Sequence, residues 1–188
     1  MRTVVLVLGI VCATAPTVIA QTALLEHRVL ATNKTSTMEK ELNEAAEAGF
    51  RFQHVMGGES EFGGNEVVVV LSRAIAGRGR YAYKLLATSR TSTMQKELQE
   101  ASDAGFLYRG QTVFKSAFGG AEVVVILERD KDAQPPSFHY KLMATSKTST
   151  LEKELKEAGD AGYEVVGMTV GKTALGGKEL VAITRRAR

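Results

Sequence analysis

Three observations predict an α+β fold built of three tandem βαββ repeats. One stretch occurs three times, as TSTMEKELNEAAEAGF from Thr35, TSTMQKELQEASDAGF from Thr91 and TSTLEKELKEAGDAGY from Thr148. Glycines recur with it at the same offsets of 56 and then 57 residues, at Gly49, Gly105 and Gly162 and again as Gly63-Gly64, Gly119-Gly120 and Gly176-Gly177. Each copy also changes from helical to strand periodicity in the same order, which marks one supersecondary unit repeated. The units run over 27–74, 81–130 and 139–188, and IAGRGR and KDAQPPS between them have the Gly, Pro and charge content of linkers.

The chain opens MRTVVLVLGIVCATAPTVIA, with a charge at Arg2, an apolar run from Val4 to Cys12 and small residues up to Ala20. That layout predicts a cleaved export signal over 1–20, and so a periplasmic or extracellular protein. The apolar run falls short of the roughly 20 residues that span a bilayer. Ala13-Thr14-Ala15 also fits a cleavage site, but cutting there leaves Pro16 first, so cleavage after Ala20 is preferred. Cys12 is the only cysteine, and its removal would exclude disulfides and thiolate metal sites. The formal charge of +3 is too small to indicate a nucleic-acid partner.

Each unit begins with a strand, HRVLAT, YKLLAT or YKLMAT, and continues into a helix. Ser36, Ser92 and Ser149 stand where an N-cap would, with Glu39, Gln95 and Glu152 three residues on, which predicts a capping box. Met38, Leu42 and Ala45 give one apolar stripe, repeated by Met94, Leu98, Ala101 and by Leu151, Leu155, Ala158. Gly49, Gly105 and Gly162 close the helices from the C′ position. FRFQHVM, FLYRGQTVF and YEVVGMTV then read as a second strand, and EVVVVL, EVVVIL and ELVAIT as a third. The third is the most uniformly apolar, which places it centrally in an antiparallel sheet of order 1-3-2. Val123 and Val125 point to one face and Val124 and Ile126 to the other, so both faces need cover although each unit has one helix. The remaining face is expected to pack on another unit, giving a monomer with approximate threefold internal symmetry and helices outside.

With YKLLAT, YKLMAT, EAGDAGYEVV from Glu157 and EVVVILERD from Glu122, each unit resembles the bacterial βαββ module called domain of unknown function 4177. The resemblance implies a fold and no agreed activity. The first unit departs from it with GGES from Gly57, where its siblings have VFKS and VGKT.

No stretch carries a diagnostic catalytic set. His27, His54 and His139 share no register, and the absence of a mature cysteine would exclude Cys-His catalysis. GKT at Gly171 lacks the earlier glycine of a phosphate loop, because Val166 stands in its place, and it leads into a hairpin. Asn33-Lys34-Thr35 has the form of a glycosylation sequon, but Ser89 and Ser146 replace the asparagine in the other units. The strand-to-helix junctions TNKTS, TSRTS and TSKTS are the candidate sites. Lys34, Thr35 and Ser36, Arg90, Thr91 and Ser92, and Lys147, Thr148 and Ser149 each join a cation and two hydroxyls to free helical amides, a combination that suits a small anion. The simpler reading, preferred on sequence alone, is that each serine only caps its helix. Glu66, Glu122 and Glu179 follow the Gly-Gly turns and could gather to bind a cation, or else guard a strand edge. No cofactor is expected. The leading functional expectation is a non-enzymatic binding or structural module with an anion or protein partner; the alternative is a hydrolase with a Ser/Thr/Glu cleft between repeats.

Overall fold

The computed structural model describes residues 24–60, 64–75, 77–88, 90–115, 121–172 and 178–188. The expected export signal over 1–20 and the turn glycines Gly63, Gly119, Gly120, Gly176 and Gly177 lie outside the described residues. The first unit comprises β1 (Leu25–Thr32), α1 (Thr35–Glu47), β2 (Arg51–Ser60) and β3 (Gly64–Ala74). The second comprises β4 (Tyr81–Thr88), α2 (Thr91–Asp103), β5 (Leu107–Lys115) and β6 (Ala121–Asp130). The third comprises β7 (Phe138–Thr145), α3 (Thr148–Asp160), β8 (Glu164–Lys172) and β9 (Lys178–Ala187). Their sheets have the orders β1-β3-β2, β4-β6-β5 and β7-β9-β8, antiparallel throughout, so the third strand of each unit is central as predicted.

The two-sided third strand explains the packing. Val123, Val125 and Leu127 of β6 turn to Met94, Leu98 and Ala101 of their own helix. Val124 and Ile126 turn the other way, into the cluster of Met38, Leu42, Phe50 and Phe52 from the first unit. All five β6 side chains are buried, and each contributes roughly 1.5–3 kcal/mol relative to exposure. Val181 and Ile183 of β9 repeat the arrangement by joining the core of the second unit. Each helix ends as expected. Gly49, Gly105 and Gly162 take φ of 87°, 84° and 81°, and the amides of Phe50, Phe106 and Tyr163 reach back to the carbonyls of Ala45, Ala101 and Ala158 at 2.9–3.0 Å. This paired closure satisfies carbonyls the helix would otherwise leave free.

The helices are not simply an outer layer. α1 lies between its own sheet and β4 of the next unit, and α2 likewise between its sheet and β7. The three like units are joined by two like interfaces, first to second and second to third, so they stand in a row rather than about the expected approximate threefold axis, because each third strand packs its second face on the unit before it. Among the described residues α3 packs only on its own sheet, and its cluster is correspondingly small: Met143, Leu151, Ala158 and Ala182. At the other end β1 is mostly exposed, where its counterparts β4 and β7 are covered.

The first unit's departure in sequence at Gly57 has a steric cause. β2 continues in register through Gly57 and Gly58, paired with Val67 and Glu66. A Cβ at Gly57 would collide with the carbonyl oxygen of Val113 on β5, so this unit's departure from its siblings lets the second unit's backbone approach.

Candidate functional site

The strand-to-helix junctions are alike in all three units. Lys34, Arg90 and Lys147 occupy the cap position in extended conformation, and their carbonyls accept from the amides of Met38, Met94 and Leu151 at 3.0–3.1 Å. Thr32, Thr88 and Thr145 turn the chain there, each hydroxyl oxygen accepting from the cation's own amide at 3.2, 3.1 and 3.3 Å. The capping boxes do not form. Ser36, Ser92 and Ser149 lie one residue inside the helices and are exposed, and none of the three helices has a side-chain cap. The first-turn amides therefore lack the side-chain acceptor that a serine cap would have supplied.

Surroundings distinguish the three junctions. Arg90 and Thr91 open into a small cleft of about 20 Å³ that Glu179 and Gly171 of the third unit help to wall. Thr35 and Ser36 border a wide groove of about 480 Å³ whose charged lining includes Glu39, Glu97 and Glu100 beside Lys84. Lys147, Thr148 and Ser149 are exposed.

The residues expected to complete the capping boxes instead join units. Glu39 Oε2 accepts from the amide of Leu85 at 2.8 Å. One turn on, Asn43 pairs with Tyr83 in both senses, Oδ1 accepting from its amide and Nδ2 donating to its carbonyl, each at 2.9 Å. α2 repeats this on β7: Gln95 Oε1 accepts from Leu142 N at 2.7 Å, and Gln99 Oε1 accepts from Tyr140 N at 3.0 Å. Gln95 Nε2 and Ser102 Oγ donate to the carbonyls of Tyr140 and Phe138. α1 and α2 thus each cover the outer edge of the next sheet, satisfying backbone groups that an edge strand would otherwise leave open. The sequence signal was available, since a polar pair at i and i+4 is shared by the first two units and lost at Lys156 in the third.

A buried ionic cluster at the first seam was not foreseen. Glu128 is 5% exposed, and it accepts from Arg51 Nη2 at 2.9 Å and from the Tyr83 hydroxyl at 2.8 Å. The same hydroxyl accepts from Phe52 N at 2.7 Å, and Arg109 lies 3.6 Å from the carboxylate. The hydrogen bond to Glu128 raises the Arg51 pKa, and burial foremost raises that of Tyr83. Both carboxylate oxygens are engaged, so the cluster fastens two units rather than presenting a free acid or base. Ser72 and Arg185 occupy the equivalent positions in the other sheets, and Arg185 Nε donates to Glu164 at 2.6 Å. At the second seam the Gln111 amide is enclosed beside Gly167 without a hydrogen-bond partner among the described residues.

The remaining candidates stay apart. His27, His54 and His139 are exposed. Glu179 faces the α2 junction, and among the described residues no group of three or more His, Asp or Glu side chains could hold a metal ion. No helix among the described residues is long and apolar enough to cross a membrane. Comparison with known proteins finds no family model, no curated protein and no solved structure that matches the chain.

Proposed function

We propose that the chain is an exported, non-enzymatic interaction module that works by protein contact at the two ends of its row of units. The observation that carries this reading is the contrast between β1 and its counterparts: Leu25 and Val29 are 55% and 62% exposed, whereas the residues in their register, Tyr81 and Phe138 and then Leu85 and Leu142, are half-buried. Stacked-repeat proteins ordinarily close their ends with polar surface, so apolar ends point to a partner. The likeness of each unit to domain of unknown function 4177 fits a scaffold whose surfaces, rather than a shared catalytic set, carry its role.

The test is photo-crosslinking in the native host, with a photoreactive residue at Val29, at Val165 on the opposite end, or at Lys40 on the solvated face of α1 as a control. Val29 and Val165 should yield protein adducts and Lys40 none, on chains whose N-terminus is Gln21. Equal labelling at all three positions would sink the contact reading, and an intact Met1 would sink export.

A second reading is supported by the missing helix caps. Three first-turn amide sets, each beside Lys34, Arg90 or Lys147, suit a small anion such as phosphate or sulfate. Calorimetric titration with phosphate should then give heat that is lost when all three cations are changed to alanine. Identical traces from both proteins would leave the junctions as turns only.

A further inference from the structure

We infer that the partner is a second copy of this chain, joined head to tail, with the α3 and β8 side of one copy on the β1 side of the next. This inference rests on the protein-contact reading above and specifies the occupant. Among the described residues, six of the eight exposed large apolar side chains lie on two surfaces. Leu25, Val29 and Met56 are on the helix-free face of the first sheet, together with half-buried Val68 and Val70. Val165, Met168 and Val170 are on β8, on the side of the third sheet that carries α3.

These surfaces are the two halves of the interface that the chain already forms twice. Val68 and Val70 stand in register with Val124 and Ile126 and with Val181 and Ile183, all four of which are buried under the preceding unit. Val165 stands in register with Phe52 and Tyr108, which face the following unit, Phe52 fully buried and Tyr108 half-buried. Among the described residues neither surface is covered by a neighbouring unit. A second copy supplies the cover for both.

The polar matches follow the same template. Glu152 on α3 corresponds to Glu39 and Gln95, which accept from Leu85 N and Leu142 N, so it is placed to accept from Val29 N of the next copy. Lys156, which here pairs with Asp160 at 3.4 Å, replaces Asn43 and Gln99 and is placed to donate to the carbonyl of His27 in the next copy. Volumes also compensate. His54 takes the position of Gly110 and Gly167, where a Cβ at Gly110 would lie 3.0 Å from the Phe52 ring and one at Gly167 would fall on Tyr108. Opposite His54, the large Phe52 and Tyr108 are replaced by the smaller Val165. Because the two surfaces differ, the contact is heterologous and generates either a closed ring of copies or an open row. This replaces the monomer that internal symmetry alone suggested.

The experiment is sedimentation velocity on the purified chain and on Val29→Asp and Val165→Asp, both at exposed positions so that each variant folds, as far-UV circular dichroism verifies. Wild type should sediment as dimers or larger species at tens of micromolar. Each variant should be monomeric, its self-association weakened by more than about tenfold by an unpaired carboxylate in the contact. Mixing the two variants is the sharp arm: Val29→Asp keeps an intact tail and Val165→Asp an intact head, so the mixture should form a 1:1 dimer and nothing longer. A wild type that stays monomeric throughout, or variant mixtures that never dimerise, would overturn the inference. If Val29 and Val165 nevertheless crosslink to a different protein in the host, the contact reading survives and the choice of partner fails.

Discussion

Arg51→Met tests whether the first seam is held by the buried cluster around Glu128. In the native chain Glu128 Oε1 accepts from Arg51 Nη2 at 2.9 Å and Nε at 3.2 Å, and Oε2 accepts from Tyr83 at 2.8 Å. The Glu128 side chain is 6% exposed and that of Arg51 43%. Removing one partner from a buried ion pair typically costs about 3–5 kcal/mol, because the other charge is left uncompensated. Here the arginine is well exposed, and Arg109 at 3.6 Å can move toward the carboxylate, so the expected loss is about 2–3 kcal/mol. Glu128→Gln keeps an acceptor for Tyr83 and should cost about 1–2 kcal/mol. The double variant should fall short of the sum by more than about 1 kcal/mol, since both changes remove the same interaction. Urea unfolding followed by circular dichroism gives all four stabilities. Additive losses, or a loss below about 0.5 kcal/mol for Arg51→Met, would mean that the pair does not hold the seam.

Two further predictions concern the same seams. Burial foremost raises the pKa of Tyr83 and of Tyr108 above the ordinary phenol value, so the folded state favours the neutral ring. Their contribution to stability is fully present below about pH 10 and is lost as pH rises above it, because the unfolded chain ionises first; stability measured from pH 9 to 11.5 should fall, and fall less in Tyr83→Phe/Tyr108→Phe. Gln99→Leu strips two backbone bonds from the β7 edge and should cost about 1–3 kcal/mol, whereas Ser92→Ala, an exposed residue inside the helix, should change stability by less than about 0.5 kcal/mol. A larger loss from Ser92→Ala in thermal melts would restore the serine cap.

The fold was legible because hydrophobic period and glycine position are local signals. Alternation along EVVVIL named both faces of β6, and Gly105 marked the end of α2, without knowledge of any distant contact. The capping box failed for an equally physical reason. Ser92 and Gln95 have the spacing of a reciprocal cap, but Thr88 already accepts from Arg90 N and the helix is capped at Arg90, two residues earlier, which leaves Gln95 free to reach Leu142. A short-range pattern cannot report a competitor that is 47 residues away. The Arg51–Glu128 pair, 77 residues apart, was hidden in the same way.

What distinguishes the units functionally lies where the copies disagree. Conformity at the junction threonines and C′ glycines is what a βαββ unit needs in order to fold, so it says little about a ligand. The divergent positions fall on the seams. One register position holds Ser72, Glu128 and Arg185, and another holds His54, Gly110 and Gly167. At the second seam Gly167 is required, because any Cβ there meets the Tyr108 ring. The first sheet carries a histidine at that position, so its open face cannot accept the Tyr108 side of a second unit in the way the third unit does. It can accept a surface in which the tyrosine has been replaced by something smaller, and the chain presents that surface at Val165. The differences among the repeats therefore keep the internal seams in order and favour β8 as the surface that meets the exposed face of the first sheet.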